Sequence, residues 1–141
     1  MKRSATASWK GGLKDGQGSF GVASGVIKDQ KFGFRTRFED EPGTNPEELI
    51  AAAHAGCFTM ATTAALTKAG FSAERLDTKA TLSLEQVEGN WTITAVHLDL
   101  KARIPGLAEA QFQEITAGAK AGCPVSRVLK ADISLTAILE A

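Results

Sequence analysis

The sequence predicts an α+β domain built on a mainly antiparallel sheet and one long apolar helix. Three observations carry that expectation. The first third of the chain is Gly-rich and extended, the stretch after Asn45 is Ala-rich behind a helix start, and after Gly70 apolar residues recur at every second position. No linker, repeat or low-complexity stretch divides the 141 residues, so a single domain over 1–141 is expected.

Thr6-Ala7-Ser8-Trp9 reads as an extended start, and Gly11, Gly12, Gly16 and Gly18 punctuate a turn after it. Ser19–Ile27 and Gln30–Phe38 predict two further strands around the polar connection Lys28-Asp29. In the second of these, Arg35 and Arg37 alternate with Phe34, Thr36 and Phe38, the pattern of a solvated strand face. Gly43-Thr44-Asn45-Pro46-Glu47-Glu48 is the clearest helix start in the chain. Asn45 suits the N-cap, Pro46 the first helical position, and the two glutamates complement the positive end of the helix dipole. From Leu49 to Ala69 the sequence is apolar almost all the way round and stops at Gly70. That composition predicts a helix buried on most sides, against a sheet and a further subunit.

After Gly70 the period becomes two. Ala80, Leu82 and Leu84 share one strand face, and Gly89-Asn90 signals a hairpin before a strand from Trp91 to Ile104. In that strand Trp91, Ile93 and Ala95 occupy one parity and Val96, Leu98, Leu100 and Ala102 the other, which predicts a bulge near Ala95. Leu107–Ala121 reads as a second helix with Phe112, Ile115 and Ala119 on one face. Gly122 closes it, Cys123-Pro124 opens a short helical turn through Lys130, and Ile133, Leu135, Ala137 and Leu139 alternate in a last strand.

Composition excludes several classes of function. Sixteen basic and sixteen acidic residues cancel, so no long-range positive field exists to draw in a nucleic acid. No uninterrupted apolar run approaches the roughly 18 residues that span a bilayer, so no membrane association is expected. The start MKRSATASWKGG has no apolar segment behind its basic residues, which argues against a secretory signal and for a cytoplasmic protein.

Chemistry could reside in the two cysteines. Cys57 and Cys123 are too far apart in sequence for a CxxC motif, and in a reducing compartment they are free thiols, metal ligands or redox groups. Cys57, on an apolar helix, fits a small core residue as well as a reactive one. Cys123 opens a helical turn ahead of Pro124, where unpaired backbone N–H groups favour a thiolate. His54 shares a helix face with Cys57 at i, i+3 and could serve it as a base or simply be a satisfied helix histidine. A Cys and His zinc site is the weaker alternative, because His97 lies in a strand at the parity that faces solvent.

At Gly43-Thr44-Asn45-Pro46-Glu47-Glu48-Leu49-Ile50-Ala51-Ala52-Ala53-His54-Ala55-Gly56-Cys57-Phe58, together with Ala121-Gly122-Cys123-Pro124-Val125-Ser126, the sequence strongly resembles the OsmC/Ohr family. These are the osmotically inducible protein C and organic hydroperoxide resistance proteins. The likeness runs from Ala7-Ser8-Trp9 to the last strand and is closer to the OsmC branch. One departure is Gly56, where Ala is expected. The resemblance implies an OsmC-like fold with a long buried central helix, an intertwined homodimer, and thiol-based reduction of organic hydroperoxides in oxidative and osmotic stress defence. It places the peroxidatic cysteine on Cys57, the resolving cysteine on Cys123, the catalytic arginine on Arg37 and its glutamate on Glu47. It implies no prosthetic cofactor and no metal, but an external dithiol reductant, plausibly of lipoyl type.

Elementary chemistry agrees with such a set. Reducing ROOH needs a thiolate, and free cysteine ionises only near pH 8.5. Burial in an apolar helix pushes that value higher, and a nearby guanidinium is the cation that reverses it. Glu47 and Cys57 are ten residues apart on the predicted helix, about 15 Å along its axis. An Arg37–Glu47 pair is therefore expected to act on the Cys57 of a partner chain, with two shared sites per dimer. Phe32, Phe34, Phe38, Phe58 and Met60 lie near the motifs and could line an apolar pocket for an alkyl or aryl hydroperoxide.

Overall fold

A computed structural model describes residues 1–141, and the chain forms two compact units, 1–49 and 50–141. In the first, β1 (Ala5–Lys10), β2 (Gln17–Val22) and β3 (Gln30–Phe32) make an antiparallel sheet in that order. Gly18 of the central strand pairs with Trp9 on one side and Phe32 on the other. A Cβ there would come within 2.6 Å of ring atoms of both, so only glycine lets the two aromatics approach to 5.6 Å between centroids. β2 stops at Val22, short of the expected Ile27. The chain turns at Gly25 (φ 79°), where Gly25 N–H donates to the Val22 carbonyl and Val22 N–H to that of Ile27.

The expected strand over 30–38 is also corrected. β3 ends at Phe32, and residues Phe34–Phe38 form a short helix, α1. Gly33 N–H donates to Thr36 Oγ1 at 2.9 Å, and the Thr36 hydroxyl donates back to the Gly33 carbonyl at 3.0 Å. Those local side-chain bonds close a turn that the apolar and charged alternation alone does not reveal.

Helix α2 (Pro46–Lys68) starts where the sequence says it should. Asn45 Oδ1 accepts the Glu48 N–H at 2.8 Å, while Asn45 Nδ2 donates to the Thr36 carbonyl at 2.9 Å. One side chain thus caps α2 and ties α1 to its first turn. At the other end Gly70 takes φ 88°, and the Gly70 and Phe71 amides bond the Thr67 and Leu66 carbonyls, the double closure of a Schellman cap. Within its own chain the helix buries one stripe, His54, Phe58, Thr62 and Leu66, at four-residue spacing. The other faces carry small residues and Met60, which is 76% exposed. By length and composition this helix, with mean hydropathy 1.5, is also apolar enough to cross a membrane. The sequence concealed that because His54 and several threonines interrupt the apolar runs.

The second unit holds β4 (Arg75–Val87), β5 (Asn90–Arg103), α3 (Glu109–Gly122), α4 (Pro124–Val128) and β6 (Asp132–Leu139). β4 and β5 form a hairpin through Glu88 and Gly89, both at positive φ. Pairing passes from Ser83↔Ala95 to Leu84↔Ile93, so Thr94 is the extra residue of the anticipated bulge. β6 pairs parallel to β5, as a crossover through two helices permits, so the second sheet is mixed. Val96, Leu98, Leu100 and Ala102 of β5 pack with Phe58 and Leu66 of α2, Phe112 and Ala119 of α3, and Cys123. On α3 the buried set is Phe112, Thr116 and Ala119, with Ile115 only partly buried. The architecture is α+β.

Candidate active site

In the first unit, α1 presents Arg37 and the first turn of α2 presents Glu47. Arg37 Nε donates to both Glu47 oxygens, at 3.0 and 3.1 Å, and Nη2 donates to Oε1 at 2.5 Å. A guanidinium gripped through two nitrogens has its plane and direction fixed, which a single contact would not achieve. The side chains are 37% and 13% exposed, so the glutamate is the more deeply set of the two. Arg37 also lies over the Phe38 ring, 5.1 Å from its centroid. The remaining donors of the guanidinium are left for another acceptor.

In the second unit, Cys57 sits in the middle of α2 and Cys123 at the junction of α3 and α4. Both are free thiols, near enough that each acts on the ionisation of the other. Cys123 is fully buried; Cys57 is partly accessible. Burial raises the Cys57 thiol above its ordinary value, and the bond with Cys123 raises it further, against a smaller lowering by the Val125 amide. Burial pushes Cys123 the same way, but its bonds with Cys57, with the Ser126 and Val125 amides and with the Ser126 hydroxyl together bring it below its ordinary value. Pro124 opens the helical turn α4 directly after Cys123, as its position in the sequence suggests.

His54 is fully buried one turn before Cys57. Its Nε2 lies 2.7 Å from Ser126 Oγ, and burial lowers its pKa, so the imidazole is neutral at pH 7. Its bond goes to Ser126 rather than to Cys57. Ser126 has no role in the sequence reading beyond its place in a motif. Its signal was the pair of i, i+3 spacings, His54 with Cys57 and Cys123 with Ser126, which put both members of each pair on one helical turn. Of the aromatic set expected to line a pocket, Phe58 is instead a fully buried core residue. Phe32 and Phe34 do line a cleft of about 900 Å³ in the first unit, beside Lys14, Gln30 and Thr36. His97 bonds Ser134 Oγ through Nδ1 at 2.6 Å on the partly exposed face of β5 and β6, apart from either cysteine.

The chain is similar to proteins of one family throughout. The profile described as OsmC-like protein matches residues 38–137. Peroxiredoxin OsmC of Escherichia coli (strain K12) is 48% identical over 135 residues, covering 96% of this chain and 94% of that protein. The organic hydroperoxide resistance protein of Xanthomonas axonopodis pv. citri is 31% identical over 99 residues, 69% of this chain and 67% of that protein. Among solved structures, an OsmC-like protein of unknown function from Vibrio cholerae superposes with a TM-score of 0.79 at 17% identity, over 98% of this chain and 99% of that one. With two motifs, a thiol pair and a whole-chain likeness in agreement, this chain belongs to the OsmC family.

Proposed function

We propose that this protein is a cysteine-based peroxidase that reduces organic hydroperoxides to alcohols, acting as a single OsmC-like domain in an intertwined homodimer in the cytoplasm. The observation that carries the reading is that the two free thiols, Cys57 and Cys123, pack in one core cluster and act on each other's ionisation. Two thiols so placed can pass from sulfenic acid to disulfide without a large rearrangement. The peroxidase names of the relatives support the same activity. Cys57 is the peroxidatic sulfur, since it is the more accessible of the two, and Cys123 resolves it. An external dithiol, of lipoyl type, reopens the disulfide.

The raised Cys57 thiol is the reason a partner is needed. As the single chain stands, Cys57 is a poor nucleophile at pH 7, and a fixed guanidinium would convert it. The Arg37–Glu47 pair is such a cation, and the ten-residue helical spacing argues that it serves the other chain's Cys57. The exposed small-residue faces of α2 give a second copy an apolar surface to cover. In this arrangement the helix is a core helix of the dimer, with no membrane role, and the enzyme contributes to oxidative and osmotic stress defence.

Mixing two inactive variants tests the shared site. Arg37→Ala and Cys57→Ser chains, each at background alone, should regain about one working site per mixed dimer with cumene hydroperoxide. No recovery in verified mixed dimers, or full activity in a size-selected monomer, would overturn the shared-site arrangement.

A further inference from the structure

Three polar residues of the second unit are fully buried, His54, Thr62 and Thr116. The two threonines return their hydroxyls to their own helices, Thr62 to the Phe58 carbonyl and Thr116 to that of Phe112. His54 alone of the three reaches another element, its Nε2 lying 2.7 Å from Ser126 Oγ of α4. Its Nδ1 is buried without a partner. An orphaned buried N–H is rarer and costlier than an orphaned lone pair, so the proton belongs on Nε2, which donates to the serine. A leucine in this stripe beside Phe58 and Leu66 would carry no such polar cost, so the imidazole has a task other than filling the core.

The place of the bond points to that task. His54 precedes Cys57 by three residues, and Ser126 follows Cys123 by three, so each bonding partner is about one helical turn from a cysteine. The bond and a Cys57–Cys123 disulfide are therefore neighbouring rungs between the same two segments. α4 needs such a rung. It is five residues long, none of its side chains is fully buried, and Val128 is 77% exposed. Val125 and Leu129 pack on the core from one side only. The Arg127 and Leu129 amides bond the Cys123 and Val125 carbonyls, too few turns to be stable without tertiary contacts.

We propose that His54 is a positioning residue for disulfide closure: its bond to Ser126 holds α4 on α2 and so keeps Cys123 within reach of an oxidised Cys57. This rests on the peroxidase reading above. In the first step the Cys57 thiolate attacks the terminal oxygen of ROOH, the O–O bond breaks, Cys57 becomes S–OH, and RO⁻ takes a proton from solvent. The His54–Ser126 bond has no part in that step. In the second, the Cys123 sulfur attacks the sulfur of Cys57, the S–O bond breaks, and the departing hydroxide carries off the Cys123 proton as water. Two sulfurs are oxidised and one hydroperoxide is reduced. Only the second step joins two segments, so only its rate follows the fraction of time that α4 is docked. With α4 undocked, the sulfenic acid of Cys57 is left open to a second peroxide and to over-oxidation.

Single-turnover reactions with cumene hydroperoxide separate the steps, peroxide consumption reporting the first and intact mass the second. His54→Leu and Ser126→Ala should each slow disulfide closure about fivefold relative to peroxide consumption, the equivalent of one net hydrogen bond. The two changes in one chain should slow it no more than either alone, because they remove the same bond. His54→Gln, which keeps a donor at similar reach, should recover most of the rate. Slowing in Ser126→Ala without slowing in His54→Leu would mean that the hydroxyl acts on Cys123 directly, and would overturn the assignment. Equal slowing of both steps, or a Gln variant that behaves like Leu, would overturn it too. A second measurement needs no peroxide and carries the test if His54→Leu does not fold. In reduced protein, hydrogen exchange at the Arg127 and Leu129 amides should rise about fivefold with Ser126→Ala, and unchanged exchange there would overturn the assignment. Faster exchange in Ser126→Ala, beside wild-type protein that forms no Cys57–Cys123 disulfide, would leave His54 holding α4 and overturn the peroxidase reading instead.

Discussion

Asn45 is the most informative single residue outside the thiol pair, because its two ends do different things. Oδ1 caps α2 and Nδ2 holds the Thr36 carbonyl, so the residue sets the relation between the helix bearing Arg37 and the turn bearing Glu47. Asn45→Ala loses both bonds. Loss of an N-cap costs about 1 kcal/mol. The half-buried amide bond to Thr36 adds about 0.5–1 kcal/mol. The expected total is about 1.5–2 kcal/mol, a fall of about 1 M in the urea midpoint for a slope near 2 kcal/mol/M. Asn45→Asp separates the two effects, since its carboxylate still caps the helix but faces the Thr36 carbonyl with no donor. It should recover most of the stability and yet keep a lowered kcat/KM for cumene hydroperoxide, because Arg37 and Glu47 are no longer held in register. Urea unfolding by circular dichroism and steady-state peroxide consumption read the two quantities. If Asn45→Ala moved the midpoint by less than about 0.2 M, the cap and tether would be ornamental and the reasoning would fail. If Asn45→Asp matched wild type in kcat/KM, the tether would have no bearing on the site.

Three further outcomes are expected. Arg37→Lys keeps a charge but cannot reproduce the two-nitrogen grip on Glu47, so peroxide reduction should fall at least tenfold while the fold, by circular dichroism, is unchanged. In Arg37→Ala the Cys57 thiol stays where burial and Cys123 put it, above the ordinary value of a free cysteine. A raised thiol is protonated below that pH, so its oxidation rate should climb through the alkaline range, whereas wild type should already be near its plateau at neutral pH. Phe58→Ala opens the fully buried core beside Cys57 and should cost about 3–5 kcal/mol, measured by urea unfolding.

Much of the fold is legible in the sequence because several local rules agree at the same residues. Asn45, Pro46 and the two glutamates each point to one helix start, and Gly70 to its end. The change of parity within β5 located the bulge that the register shows. Residues 34–38 were misread because alternating aromatic and charged residues satisfy a strand pattern, while the turn that forms depends on one threonine hydroxyl reaching back three residues. How much of α2 its own chain buries was not legible, for a different reason. An apolar helix states that it will be covered, but not whether its own chain or another supplies the cover. At the site, the four carried-over residues fall into two pairs, Arg37 hydrogen-bonded to Glu47 and Cys57 acting on the ionisation of Cys123. The bond from His54 to Ser126 was hidden, since it joins residues 72 positions apart and exists only once α4 docks on α2.

The central claim is that Cys57 and Cys123 are a redox pair driven by organic hydroperoxide. Reduced protein treated with one equivalent of cumene hydroperoxide, then assayed for free thiols and intact mass, tests it most directly. Loss of both thiols with a mass about 2 Da lower is the predicted result, abolished by Cys57→Ser and replaced by a sulfenic or over-oxidised Cys57 in Cys123→Ser. Survival of both thiols in folded protein under excess peroxide would contradict it.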